Sequence, residues 1–525
     1  MEEKNEVKKE PGKMSRLLGW YKRRNWFVKI LLAFIAIYVI RFLLIGRATY
    51  DVALLAIGLY GPIMLVVIGF IWLLILVFRK KKVKGRIVIA VVLGLVIAFC
   101  IVVRLAPWEM YNYISRYVRH ENLNMQYISS LPETDYEAIQ PKVGIKNLAE
   151  QRVQENEIVY EPFMVRVGEE YRWTIGRGPS PKYFYQKYSG NINTVFSLPT
   201  QVSSVNFLDK NKQQVNFDVG ETLMWSRNTE TAVVRSLNFF QLFRYEVGDT
   251  RFLRDDSGQW VQVTSLIHWK GIFFPQPEFG GVHVIRQNSE KSFAHSMKRK
   301  WLGYGEIYTT EEMKQFKYLQ NQNLVSKKFG DAIANSFHFQ NGFLGPLPGY
   351  HKGDIRIPVV EGGFSEQPIL GYFKMSQVAK GAKDMLYYVY ALEPYDESKH
   401  GLAVSVFIPA DGTGKTYVHR YVDDALPGPT AVPSKIRESK KQYDWSVTKI
   451  ADIRCYNKKI DGTLHTFWMV SIVSKDSDSE RYVSGGVPQL MLVDPKYDRV
   501  IDIDPDHPEM WVDQIRQELG AVWGQ

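Results

Sequence analysis

The chain has 525 residues and a formal net charge of +11, and its length allows about two to four domains with a sizeable core. Residues 1–104 hold 18 Lys and Arg against 5 Asp and Glu, whereas residues 105–525 hold 48 against 50. A basic excess confined to the first fifth argues against a nucleic-acid partner. Two cysteines exclude a disulfide framework and a cysteine metal cluster.

Long apolar stretches dominate the first fifth of the chain. There are three of them, at residues 26–46, 52–78 and 87–103. A helix needs about 20 apolar residues, within a tolerance of roughly 17 to 25, to cross a bilayer. Lys29 and Arg41 interrupt the first run, but each lies close enough to one end for its charge to reach the headgroups. We therefore predict a three-span membrane anchor over residues 26–107, after a basic cytoplasmic tail over residues 1–25.

Basic residues predict the orientation of these spans. The tail before the first span carries eight Lys and Arg, and the loop RKKKVKGR, residues 79–86, carries six. Positive charge favours the cytoplasmic side, so both segments are predicted to lie there. Three crossings then place residues 104–525 outside. The sequence thus predicts a multi-pass protein of the plasma membrane with a cytoplasmic N-terminus.

The predicted fold class is three N-terminal transmembrane α-helices followed by a large strand-rich α+β extracytoplasmic region. Apolar spacing after the third run predicts a helix leaving the membrane. Later segments alternate short β-branched and aromatic runs with turn residues. Residues 289–340 look helical, and Thr309 with Glu312 fits a capping box. Met313, Phe316 and Leu319 then line one face of the predicted helix. The predicted units are a helical connector (108–157), a β-rich domain (158–288), an α+β domain (289–431) and a C-terminal α+β domain ending in a helix (432–525).

The stretch PADGTGKTYV, residues 409–418, ends like a nucleotide-binding P-loop. Its first glycine position holds Pro409, which has no N–H to offer a phosphate. Strand-forming residues follow Thr416 where a P-loop needs a helix. The sequence therefore predicts a β-hairpin with its turn at Asp411 to Lys415, and no nucleotide partner.

A second candidate motif contains Asp502, Asp504, Asp506 and Asp513, at positions 1, 3, 5 and 12 of an EF-hand-like spacing. His507 replaces the glycine normally needed for the sharp turn, and the preceding residues look like a strand. Capping of the helix that follows accounts for the same residues. The sequence leaves calcium binding at Asp502, Asp504 and Asp506 open.

The remaining chemistry-bearing residues form no recognisable motif. His338 and His351 flank a Gly-rich stretch without a partner visible in the sequence, and Cys455 lacks a local signature. The basic segment 291–304 fits an exposed helix face as well as an acidic partner. We therefore assign no catalytic, cofactor-binding or metal-binding residue, and no cofactor.

The functional expectation follows from topology and from this lack of motifs. We predict a non-catalytic extracytoplasmic binding or scaffolding region that belongs to a cell-envelope or membrane assembly. Its expected partners are the lipid bilayer and other membrane or envelope proteins. The alternative is an extracytoplasmic hydrolase acting on envelope polymers, because catalytic groups that are distant in sequence need only meet in space.

Overall fold

The computed structural model describes most of the chain after the apolar runs. The described residues are 107–136, 140–168, 170–201, 211–224, 227–287, 304–342, 354–360, 367–396, 401–421, 426–474 and 489–523, with single positions and short groups between 26 and 72. Most of the predicted anchor, including the loop 79–86 and the run 87–103, therefore lies outside the described residues. No helix that the structure describes is long and apolar enough to cross a bilayer.

The described part is a strand-rich α+β structure with four sheets. The seven-stranded sheet contains β1 (Met125–Tyr127), β2 (Thr134–Tyr136), β12 (Ile355–Arg356), β13 (Ile369–Phe373), β14 (Met385–Pro394), β15 (Val404–Pro409) and β16 (Thr416–Arg420). The five-stranded sheet contains β3 (Glu157–Val159), β4 (Phe163–Val167), β5 (Glu170–Pro179), β6 (Ile192–Pro199) and β7 (Lys212–Phe217). The middle four-stranded sheet contains β8 (Tyr245–Arg254), β9 (Trp260–Lys270), β10 (Gln276–Arg286) and β11 (Glu306–Tyr308). The C-terminal four-stranded sheet contains β17 (Thr448–Ile460), β18 (Thr463–Ser474), β19 (Gln489–Asp494) and β20 (Arg499–Ile503).

Helices cover the faces and edges of these sheets. Those after residue 106 are α1 (Pro107–Asn122), α2 (Lys142–Glu150), α3 (Phe184–Ser189), α4 (Thr229–Ser236), α5 (Thr310–Met313), α6 (Lys327–Ala334), α7 (Val432–Ser439) and α8 (Trp511–Trp523). The helix α1 packs through Tyr113 and Tyr117 on Phe339, with ring centroids 4.4 and 5.9 Å apart. This contact joins the start of the folded region to the turn that follows α6.

The seven-stranded sheet holds the molecule together because its strands come from distant parts of the chain. β14 lies inside it and is buried along nearly its whole length, as its aromatic and β-branched composition favours. β1 pairs in parallel with β16, and β2 pairs with β13. The segment predicted as a helical connector thus supplies two strands of this sheet as well as helices.

Apolar clusters join each sheet to its neighbours. Trp173 of the five-stranded sheet shares one cluster with Leu386 of β14. Ile267 of β9 shares another with Tyr390, also of β14. Trp468 of the C-terminal sheet packs in a third with Ala391. Apolar burial is the main favourable term in folding, so these shared clusters hold all four sheets around the seven-stranded one.

Several local predictions are confirmed. β15 and β16 form the predicted antiparallel hairpin, and Thr309 with Glu312 forms the capping box. The helix that follows the box is short, because α5 ends at Met313 and a 3₁₀ turn over Lys317–Leu319 takes over. The predicted continuous helical face through residue 319 is therefore wrong. Part of the stretch expected to be helical, Glu306–Tyr308, is instead a strand paired with β10.

Candidate binding cavity

A cavity of about 290 Å³ lies where the four sheets meet. The five-stranded sheet contributes Met164 and Trp173, and the middle sheet contributes Asp249. Leu370 comes from the seven-stranded sheet, and Arg454 comes from the C-terminal sheet. The volume is close to the lower end of small-molecule sites in proteins, which span roughly 300 to 1,000 Å³. The cavity therefore suits a small molecule better than a polymer.

One wall of the cavity is formed by an irregular part of strand β17. The pairing of β17 with β18 shifts between Ala451 and Arg454, which marks a β-bulge. Inside the bulge, Asp452 has a φ of +56°, a left-handed conformation that is sparsely populated by residues other than glycine. The other non-glycine residues with positive φ, such as Asp461, lie in turns rather than within a strand. Bulges re-aim side chains, and this one brings both Asp452 and Arg454 to the cavity.

Arg454 is only partly satisfied by the protein. Its Nη1 forms an ion pair with Asp452 at 3.2 Å, and its side chain is 10% exposed. Among the described residues, its buried Nε and Nη2 atoms have no hydrogen-bond partner, and neither has the indole Nε1 of Trp173. All three atoms are donors with no acceptor capacity. Two residues that line the cavity therefore carry buried donors that no described residue satisfies.

The carboxylates around the cavity are all bonded. Glu161 forms ion pairs with Lys142 at 3.0 Å and with Lys146 at 2.5 Å, both from α2. Burial alone would raise the pKa of Glu161, but the two ammonium groups hold it below its ordinary value. Asp249 accepts a hydrogen bond from the backbone N–H of Lys327 at 2.9 Å. The lowered pKa makes Glu161 a poor proton donor at neutral pH.

A buried polar network lies behind Asp249. Arg251 is 1% exposed, donates to the Val325 carbonyl at 2.5 Å and lies 3.7 Å from Asp249. Tyr388 donates its hydroxyl to Asn323 at 2.8 Å, and Asn323 donates to the Met164 carbonyl at 3.1 Å. This network joins three sheets and fixes the position of the cavity wall, because buried polar groups are costly unless they are paired.

Another part of the lining is apolar. It includes Phe163, Met164, Ile369 and Leu370. The ring of Phe163 also lies under the Arg251 guanidinium, 4.5 Å from the ring centroid. A small side cavity of about 20 Å³, with room for about one water molecule, shares Met164, Leu370 and Arg454 with the main one. The site therefore combines an apolar wall with a cluster of hydrogen-bond donors.

The motifs that stood out in the sequence lie elsewhere. In the hairpin turn, Gly412 and Gly414 have φ of +73° and +87°, and Asp411 accepts hydrogen bonds from Thr413. Lys415 is exposed, and a strand follows it rather than the helix of a P-loop.

The acidic EF-hand-like stretch also has a local structural explanation. Asp502 lies on β20 and pairs with Lys440 at 2.5 Å. Asp504 accepts a hydrogen bond from the backbone N–H of Asp506 at 2.9 Å. No group of three or more His, Cys, Asp or Glu residues in the described part of the chain is arranged to hold a metal ion.

The other singled-out residues have packing roles. Cys455 donates to Asn457 at 3.1 Å, and burial raises the pKa of its thiol to about 12, so it stays protonated. His338 packs edge-on against the rings of Tyr113, Phe339 and Tyr395. His351 and most of the basic segment 291–304 lie outside the described residues.

The cavity residues themselves were not recognised in the sequence. Arg454 and Asp452 stand in the stretch KIADIRCYN, which was not predicted as a strand, and Trp173 is 281 positions earlier. Nothing in the spacing of these residues connects them. The one local signal is an Asp inside a β-branched run, which becomes informative only when its positive φ is known.

Comparison of the chain with protein-family models, with curated proteins and with solved structures found no match.

Proposed function

We propose that this chain is a membrane-anchored binding protein whose extracytoplasmic region holds a small molecule in the cavity between its four sheets. The observation that carries the proposal is the composition of the cavity wall. Its carboxylates are paired, whereas the buried donors of Arg454 and Trp173 have no partner among the described residues. Such a wall favours holding a ligand in a fixed orientation over acid–base catalysis.

The hydrolase alternative receives less support from the same wall. The described residues that line the cavity include no His, Ser, Thr or Cys, and the one hydroxyl among them, on Tyr388, is buried and donates to Asn323. Nucleophilic catalysis needs a nucleophile within hydrogen-bond reach of a base. A His–Ser contact does exist between His283 and Ser236, at 3.1 Å, but His283 is fully buried and Ser236 also bonds backbone carbonyls.

Exposed apolar side chains between residues 55 and 72 support the proposed membrane anchor. The described residues between 55 and 72 are helical, and several of their large apolar side chains are exposed. The exposed ones are Ile57, Met64, Leu65, Ile68 and Trp72. Their successive separations of seven, one, three and four residues place them on one helical face. A contiguous apolar face is stabilised by lipid and is costly in water, which is consistent with a span at this position.

Contacts of this helix with the folded region also support the predicted topology. The hydroxyl of Tyr111 in α1 donates to the Leu59 carbonyl at 3.3 Å, and the Gly58 backbone lies so close to Phe243 that a Cβ would not fit. In the proposed topology Gly58 and Leu59 lie near the outer end of the second span, and Tyr111 follows the outer end of the third. The two stretches are then expected at the same membrane surface.

Two aromatic loops next to these contacts suit the same surface. They join α4 to β8 and β9 to β10, and a hydrogen bond from the Arg244 guanidinium to the Gly271 carbonyl links them. Their exposed apolar side chains are Phe239, Phe240, Ile272 and Phe273. Aromatic side chains are enriched where proteins meet headgroups, so we propose that these loops face the outer leaflet.

Reporter fusions test the anchoring part of the proposal. A fluorescent reporter that matures only in the cytoplasm would be fused after Arg86 in one fusion and after Gln525 in another. The expected result is fluorescence from the first fusion alone, because the three crossings place only Arg86 inside. Fluorescence from both fusions contradicts the three-span topology, and it leaves the cavity untouched as a binding site.

A further inference from the structure

The donors in the cavity wall define the chemistry of the ligand. Arg454 Nε, Arg454 Nη2 and Trp173 Nε1 are buried donors without a protein acceptor, and leaving such groups unpaired costs about 1 to 3 kcal/mol each, more when the group is charged. The planar guanidinium presents its N–H groups as a fork that matches two oxygen atoms of a carboxylate or phosphate. An acceptor-rich anionic group therefore fits this wall.

The charge around the cavity permits such a group. The acids are already neutralised locally: Glu161 by two lysines, and Asp452 by Arg454 itself. Asp249 lies 3.7 Å from the buried Arg251. Four cations and three acids line the cavity, and Arg251 adds a further positive charge behind it. Among the described residues that line the cavity, no carboxylate is left unpaired to oppose an anion that enters.

The rest of the wall sets the size and polarity of the remainder of the ligand. Phe163, Met164, Ile369 and Leu370 form an apolar surface, and the volume of about 290 Å³ limits the occupant to a small molecule. Polymers and folded partners are too large for it.

We propose that the cavity binds a small organic acid, with its carboxylate or phosphate on Arg454 and Trp173 and its apolar part on Phe163, Met164 and Leu370. The bulge in β17 brings Arg454 to the cavity, and Asp452 positions the guanidinium through the 3.2 Å ion pair. This inference rests on the proposed function of the cavity as a ligand site.

Calorimetric titration of the full-length protein in lipid nanodiscs tests the proposal with four short probes. Hexanoate and hexyl phosphate carry the two candidate acid groups, and hexan-1-ol and hexylammonium carry a neutral and a cationic group on the same chain. We expect at least one acid to bind at least ten-fold more tightly than the alcohol or the ammonium. The stronger of the two acids identifies the group.

Matched variants localise the binding. Arg454→Met keeps most of the side-chain volume and is expected to weaken the acid at least ten-fold, because charge-assisted hydrogen bonds contribute about 1.5 to 3 kcal/mol. Arg516→Met is the control, since Arg516 lies on the exposed face of α8, where it pairs with Asp461 and Asp513. Trp173→Phe removes only the indole donor and gives a second variant if Arg454→Met fails to fold; we expect it to weaken binding three-fold or more.

Three results overturn the inference. They are equal binding of hexan-1-ol and the acids, unchanged acid binding in both cavity variants, and no binding of either acid at millimolar concentration. If the alcohol alone binds and cavity variants reduce its affinity, the ligand class is wrong but the cavity remains a binding site.

Discussion

The hairpin turn at residues 410–415 and the bulge at residues 451–454 both contain an aspartate. They differ in the hydrogen-bonding groups that they leave unpaired. In the turn, Asp411 is satisfied within two residues, since the backbone N–H and hydroxyl of Thr413 both donate to it at 2.8 Å. In the bulge, Asp452 satisfies one nitrogen of Arg454, and two others remain buried without a protein partner. The turn resembled a functional motif in the sequence, but only the bulge presents unused hydrogen-bonding capacity.

We infer from this comparison that buried hydrogen-bonding groups without a partner indicate a binding site better than residue spacing does. A P-loop works because its backbone N–H groups are free to hold phosphate, and the hairpin uses its own polar groups locally. A guanidinium with two buried unpaired donors is costly. Such a cost is tolerated where a ligand offsets it.

The largest expected effect comes from breaking the ion pair of the bulge. Asp452→Ala leaves Arg454 charged, buried and without its protein partner, and places alanine at a φ of +56°. We expect a loss of about 3 kcal/mol in the free energy of unfolding, measured by urea denaturation. Asp461→Ala is the matched control, because Asp461 has a φ of +51° but lies in an exposed turn, and it should cost only about 1 kcal/mol. Equal losses would show that the ion pair contributes nothing.

Removing the hydrogen bonds of the hairpin turn should lower the free energy of unfolding by a smaller amount. Asp411→Ala removes the acceptor for the Thr413 N–H and hydroxyl in a buried turn. We expect a loss of about 1 to 2 kcal/mol in the free energy of unfolding and no change in the binding of hexanoate or hexyl phosphate. A binding defect in a folded Asp411→Ala protein would contradict the separation of the two regions.

The hairpin turn and Glu161, on the cavity wall near the bulge, should respond to pH with opposite signs. Burial raises the pKa of Asp411, so its contribution to stability is full below the unfolded pKa and is lost as pH rises through the folded value. The lysines beside Glu161 hold its pKa down despite burial, so its contribution is present above the unfolded pKa and is lost as pH falls through the folded value.

Variants in which each acid is replaced by its neutral amide measure this difference in pH dependence. Between pH 6 and pH 3, the stability of the wild type relative to Asp411→Asn should rise, whereas its stability relative to Glu161→Gln should fall. The Glu161 change should amount to a few tenths to about 1 kcal/mol, because its ion pairs are half exposed. Slopes of the same sign, measured by urea denaturation at each pH, would refute the assignment.

The smallest effect is expected at Lys415, which stands where a P-loop has its phosphate-binding lysine. Lys415 is exposed in the hairpin, so Lys415→Ala should change the free energy of unfolding by less than about 0.5 kcal/mol. Binding of the acid probes should also stay within two-fold of the wild type. A large functional loss without unfolding would revive a phosphate-binding role for this turn.

Local elements could be predicted where the signal lies within a few residues. The hairpin followed from Asp411, Gly412 and Gly414 between two β-branched runs, and the capping box followed from Thr309 and Glu312. The strand pairing of Glu306–Tyr308 could not be predicted, because three residues carry too little periodicity. β1 and β2 are also too short to be predicted from periodicity. In addition, their partner strands lie more than 200 residues away.

The strand-rich α+β character of the long region after the apolar runs could be predicted from the amino-acid sequence, because alternation and turn residues act over short distances along the chain. The prediction of a membrane anchor also comes from the sequence and rests on the length of those runs and on the charges between them. The position of the cavity follows only from how the sheets pack. Arg454, Trp173 and Asp249 are brought together by packing of four sheets, and whether a donor is left unpaired depends on every group that packs around it.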